Sequence, residues 1–142
     1  MKISLLLVDD EKDFIETLAE RLLLRDFNVA TALNGDDAIK LVEENEFDVI
    51  VLDVQMPGKD GVETLKEINK IEQLSQVIML TGHATVKTAI EGMKNGAFDY
   101  LMKPTDTNEL IEMINKAYQL VAEQRDKIRQ AEINDILKRR GW

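Results

Sequence analysis

The chain has no cysteine and a single histidine among its 142 residues. Disulfide stapling and thiolate metal sites are therefore excluded. No apolar run approaches the ~20 residues needed to span a bilayer, and the longest runs are strand-sized. No small-residue cleavage site follows Met1-Lys2-Ile3-Ser4, which leads straight into a strand, so a signal peptide is not expected and a cytoplasmic protein is. Basic residues are also scarce, at 18 Lys and Arg against 27 Asp and Glu. Residues 1–118 hold 12 basic against 23 acidic side chains, and residues 119–142 hold 6 against 4. An acidic body argues against direct nucleic-acid binding, which needs a basic face to meet phosphates. What is present is a 44% hydrophobic content, enough for the core of one domain.

Five short apolar runs alternate with five helical patterns. The strand-like runs are Ile3–Val8, Phe27–Ala32, Asp48–Leu52, Gln76–Leu80 and Phe98–Met102. Between them, apolar residues recur at helical spacing: Phe14, Leu18 and Leu22; Ala38, Leu41 and Val42; Val62, Leu65 and Ile68; Val86, Ala89, Ile90 and Met93. Asn34 is placed to cap the second helix, Asn95-Gly96 to close the fourth, and Asp106 with Glu109 to form a capping box for the last. Such alternation predicts a parallel sheet with helices on both faces and right-handed crossovers. The last helical pattern runs from Glu109 to about Lys138 without Gly or Pro, so its distal half is expected to project beyond the body. The expected division is a domain over residues 1–118 and a helical extension over 119–142.

Polar residues interrupt the strands at the same end each time. Asp9-Asp10 follow the first strand, Asp53 ends the third, Thr81 follows the fourth and Lys103 the fifth. In a parallel sheet all of them face one rim, where open α/β sheets place their ligands. Carboxylates converging there repel, and a hard divalent ion such as Mg²⁺ relieves the repulsion. Taken alone, Asp9-Asp10 also reads as a helix cap and first turn. A cation, a lysine and a hydroxyl around one further carboxylate suit the handling of a phosphoryl group, with Asp53 as nucleophile.

Four motifs in this order carry a specific resemblance. They are Val8-Asp9-Asp10-Glu11, the run from Leu52 to Gly61, Leu80-Thr81-Gly82-His83-Ala84, and the run from Gly96 to Pro104. With them the chain resembles a response-regulator receiver domain of two-component signalling over roughly residues 2–118, nearest to receivers of enhancer-binding transcription regulators. The resemblance implies a flavodoxin-like (βα)5 three-layer α/β sandwich, its parallel sheet ordered 2-1-3-4-5, with an extended C-terminal helix. It implies that Asp53 accepts a phosphoryl group from a sensor histidine kinase or phosphotransfer protein. It further implies that Asp10, Asp53 and the Gln55 backbone carbonyl ligate Mg²⁺, with Asp9 acting mostly through water. Lys103 would meet the phosphoryl oxygens, its bond to Pro104 would be cis, and Thr81 and Tyr100 would switch the surface of the fourth helix, fifth strand and fifth helix. No turnover of a substrate is implied, only self-phosphorylation and autodephosphorylation.

Several positions keep more than one reading. His83 suits a general base or, with Gln55, a lining position that tunes how water reaches an acyl phosphate. Leu110, Ile114, Ala117, Val121, Gln124, Ile128 and Ala131 form a heptad seam, which suits a dimer helix, a linker to an output domain, or a solvated extension. Two other functions share parts of the pattern. A phospho-aspartate phosphatase would need Asp-x-Asp where the chain has Asp53-Val54-Gln55. A flavodoxin-like cofactor binder would need a phosphate loop where it has Asp9-Asp10-Glu11.

Overall fold

Leu5–Val8, Val49–Leu52 and Val77–Thr81 are buried without interruption, whereas Asn28–Ala32 and Asp99–Met102 keep partly exposed side chains. Continuous apolar runs belong in the middle of a parallel sheet covered on both faces, and mixed ones belong at its edges. The computed structural model, which describes residues 2–56, 58, 60–82 and 86–141, has that arrangement. Strands β1 (Ser4–Val8), β2 (Asn28–Ala32), β3 (Val49–Leu52), β4 (Gln76–Thr81) and β5 (Asp99–Met102) form one sheet of order β2-β1-β3-β4-β5. Every pairing is parallel. Helices α1 (Lys12–Leu24), α2 (Gly35–Glu44), α3 (Gly61–Ile71), α4 (Val86–Lys94) and α5 (Thr107–Arg139) connect and follow the strands.

Alternate strand residues feed two separate cores. Leu5, Leu7, Val49, Val51, Ile78 and Leu80 pack with Ile15, Leu18 and Leu22 of α1 and Leu110, Ile114 and Ala117 of α5. Leu6, Val8, Ile50, Leu52, Val77 and Met79 pack with Ala38 and Val42 of α2 and Leu65 and Ile68 of α3. The register places the C-terminal ends of the strands side by side, with Val8 beside Leu52 and Thr81 beside Met102. Backbone pairing continues one residue past the strands, from Asp53 N–H to Val8 O (2.9 Å) and from Lys103 N–H to Thr81 O (2.8 Å). The polar residues that end the strands are thereby fixed along one rim.

The helix signals mostly act as their chemistry predicts. Asn34 accepts a hydrogen bond from Asp37 N–H, and Gly96 closes α4 at φ 94°. The capping box at α5 is only half formed. Asp106 accepts from Asn108 N–H, while the Glu109 carboxylate turns to the Thr105 hydroxyl instead of the cap. The apolar side of α4 is also only half used, because Ala89 is buried while Ile90 and Met93 are exposed. Gly92 brings this helix so close to the sheet that a β-carbon there would meet the Met79 side chain. Contact is made through the small residues, which leaves the two large ones outside.

The proximal half of the α5 seam faces its own domain. Leu110, Ile114, Ala117 and Val121 are completely buried within their own domain. Freeing them for a second copy would expose three large aliphatic side chains, at about 1.5–3 kcal/mol each. Only the part of the seam beyond Gln124 lies outside the body, with Ile128 and Ala131 exposed.

Candidate functional site

The turn after β1, the ends of β3 and β4 and the first residue past β5 meet at one point on the rim. Asp53 is 5% exposed and Asp9 4%, whereas Asp10 is open to solvent. Carboxylate oxygens of Asp9, Asp10 and Asp53 lie within 4.8 Å of one another, a spacing suited to a metal ion. Lys103 reaches into this group, with Nζ 2.6 Å from Asp9 Oδ2, 3.3 Å from Glu11 Oε1 and 3.9 Å from Asp53 Oδ2. Its ammonium also lies 4.2 Å from the centre of the Phe14 ring. The Lys103–Pro104 peptide bond is cis.

Local backbone geometry orients the two inner carboxylates. Glu11 N–H donates to Asp9 Oδ1 at 2.9 Å, and Gln55 N–H donates to Asp53 Oδ1 at 3.1 Å. Gly61, the first residue of α3, lies against Asp53 and Val54 so closely that only a residue without a β-carbon fits. The turn that holds Asp53 is therefore packed directly onto the start of α3.

Asp53 has a pKa raised above its ordinary value. Burial is the largest cause and the Asp9 charge adds to it, while the Gln55 N–H, the Lys103 charge and the Thr81 hydroxyl oppose it. The pKa of Lys103 is also raised: burial pulls it down, but its hydrogen bond to Asp9 and the surrounding carboxylates more than offset that. The linkage signs differ. Lys103 contributes stability that is present below the ordinary lysine range and lost as pH rises through its folded value. Asp53 instead costs stability as pH rises through the ordinary carboxylate range, because the folded state holds its proton longer. Asp53→Asn is therefore expected to raise Tm at neutral pH without divalent cations. The gain should shrink below the carboxylate range, and an unchanged or lower Tm at neutral pH in calorimetry would contradict it.

Comparison with known proteins decides the family. The model of the response regulator receiver domain matches residues 5–115. The chain belongs to the response regulator receiver domains of two-component systems. Among its relatives, the transcriptional regulatory protein ZraR of Salmonella typhimurium is 40% identical over 116 residues, covering 82% of this chain and 26% of that protein. The regulatory protein AtoC of Escherichia coli is 39% identical over 116 residues, or 82% of this chain and 25% of that protein. The receiver thus spans about a quarter of the curated relatives it matches. A receiver domain structure from Clostridium thermocellum superposes with a TM-score of 0.79 at 34% identity, covering 89% of this chain and 98% of that one.

Of the expected site residues, the receiver brings together Asp9, Asp10, Asp53, Thr81 and Lys103. Thr81 is buried at the end of β4, and its hydroxyl helps to hold down the Asp53 pKa. Tyr100 is 41% exposed on the outer side of β5, bordering a shallow apolar hollow with Ala89, Ile90, Met93 and Lys94. The Gln55 side chain is exposed at the edge of a groove of about 620 Å³ between α3 and α4. His83 lies outside the described residues, as do Pro57 and Lys59 of the turn motif. Asp9 is the closest carboxylate partner of Lys103. Sequence reasoning gave no role to Glu11, Phe14 or Gly61. Glu11 adjoins an obvious acidic pair, but nothing in the linear order brings Phe14 onto Lys103, 89 residues away.

Proposed function

We propose that Asp53 is the phosphoacceptor and that Asp10, Asp53 and the Gln55 backbone carbonyl hold Mg²⁺, with Asp9 in support. The observation that carries this is one buried carboxylate facing two others and one lysine at the mouth of a parallel sheet. A bound Mg²⁺ supplies positive charge to offset that of the phosphoryl oxygens. A carboxylate oxygen of Asp53 attacks the phosphorus of a phosphohistidine on a sensor kinase or phosphotransfer protein. A P–O bond forms, the P–N bond breaks, and the electron pair returns to the imidazole. Lys103 then exchanges part of its contact with Asp9 for the new phosphoryl oxygens, 3.9 Å being a short reach from Asp53.

The switch reading gives Thr81 and Tyr100 paired roles. The Thr81 hydroxyl would turn toward the phosphoryl group, and the Tyr100 ring would turn inward from its exposed position. That would reshape the face where Ile90, Met93 and Met102 are exposed and alter partner binding or dimerisation. The domain is a switch with self-phosphorylation and autodephosphorylation but no turnover of a separate substrate. Gln55 and His83 would tune the lifetime of the acyl phosphate. Among the described residues no helix is long and apolar enough to cross a membrane, which supports a cytoplasmic site of action. ZraR is named a transcriptional regulatory protein; any contact with DNA would be made outside the region matched here, given the acidic body. The distal part of α5 would serve a homodimer or lead to an output domain.

The test is incubation with Mg²⁺ and a small acyl phosphate, with Asp53→Ala as control. Mg²⁺-dependent labelling of wild type alone supports the reading, and equal labelling of both rejects it.

A further inference from the structure

Arg125 lies well past the expected end of the receiver at residue 118, yet it is built into the domain. Its Nη1 hydrogen-bonds Asp48 Oδ1, whereas its Nη2 lies 2.9 Å from Glu46 Oε1 as an ion pair without a hydrogen bond. Asp48 is 8% exposed, and its other oxygen accepts a hydrogen bond from Ser4 N–H at 2.8 Å. One carboxylate thus joins the beginning of β1, the beginning of β3 and the fifth turn of α5. This lies at the end of the sheet opposite Asp53, where the strands begin. One turn before Arg125, Val121 is completely buried; from Asp126 onward every described side chain is exposed. The environment of the helix changes at this arginine.

We propose that Arg125 is a positioning residue that clamps α5 to the strand-entry edge of the sheet, so that the receiver unit ends at Arg125 and the free helix begins at Asp126. The chemistry suits a clamp. One arm of the guanidinium hydrogen-bonds Asp48 while its charge also attracts Glu46, and burial of Asp48 makes loss of its partner costly. Beyond the clamp, the 14-residue stretch from Asp126 to Arg139 would fray on its own without a packing face, whereas a helix propagated from an anchored turn does not have to nucleate. Arg125 therefore sets where ordered helix leaves the domain and in which direction. This deepens the reading of α5 as an output element and rests on it for its functional meaning, though the clamp itself does not depend on Asp53.

Amide hydrogen exchange on the full chain tests it, with phosphoryl labelling of Asp53 measured on the same samples. Arg125→Ala and Asp48→Asn are both expected to speed exchange over residues 122–130 by about tenfold or more, since local opening follows lost anchoring contacts. Asp48→Asn keeps an acceptor for Ser4 N–H, which separates the clamp from the strand contact. Arg125→Lys should restore much of the protection. Protection of Val49–Leu52 and labelling of Asp53 should match wild type. Unchanged exchange in both variants would overturn the proposal, as would protection lost evenly across the sheet, which would make Arg125 an ordinary stabilising residue. If wild type itself takes up no label, the phosphoacceptor reading fails, while the exchange data still decide the clamp.

Discussion

Gly61→Ala is expected to melt about 6–12 °C below wild type. A β-carbon at Gly61 would stand 2.3 Å from Val54 Cα and 2.6 Å from the Asp53 carbonyl oxygen. Both are backbone atoms, so no side chain can rotate away, and the turn carrying Asp53 must shift. Overpacking of this kind costs about 3 kcal/mol, and a domain of this size loses about 2–4 °C per kcal/mol. Gly58→Ala is the control from the same loop. Gly58 has φ 79° but nothing within 4 Å of the added carbon, so only the left-handed backbone is penalised, at about 1–2 kcal/mol. Thermal unfolding of the two variants checks the account; equal losses would contradict a close approach at Gly61.

Lys103→Met is expected to move metal binding and phosphoryl uptake in opposite directions. Lys103 is held by Asp9 and Glu11, and Asp9 is one of the carboxylates that would attract Mg²⁺. Removing the ammonium leaves three carboxylates without that counter-charge, and a charged hydrogen bond is worth about 1.5–3 kcal/mol. Mg²⁺ affinity should therefore rise by about tenfold, read by calorimetric titration. Phosphoryl uptake should fall by at least about tenfold, because the transferred oxygens lose their lysine partner and a cation aimed at developing charge is a large catalytic contribution. Weaker Mg²⁺ binding, or uptake at the wild-type rate, would contradict this arrangement.

Much of this architecture was legible because the decisive residues lie inside strong local patterns. Continuous burial of Leu5–Val8, Val49–Leu52 and Val77–Thr81 follows from unbroken apolar runs, and the lesser burial of β2 and β5 follows from their mixed composition. Asp9, Asp53 and Thr81 each end or follow such a run and Lys103 follows β5, so parallel register gathers them. What escaped depends on contacts between distant segments. Lys103 meets Phe14, and Arg125 meets Glu46 and Asp48, through packing angles that no spacing encodes. Heptad spacing in α5 was visible, but the same spacing serves a seam between copies and a stripe laid on a sheet. Here the stripe from Leu110 to Val121 covers the domain's own core. The exposed Ile90 and Met93 show the reverse case, where a helical apolar pattern overstates burial because Ala89 and Gly92 make the close contact.

The central claim is that Asp53 alone accepts the phosphoryl group. The direct measurement is peptide-level mass spectrometry after exposure to Mg²⁺ and a small acyl phosphate. The account predicts one phosphorylated residue, Asp53, dependent on Mg²⁺ and absent from Asp53→Ala. A label on Asp9, Asp10 or any other residue in the wild type, or an equal label in Asp53→Ala, would contradict it.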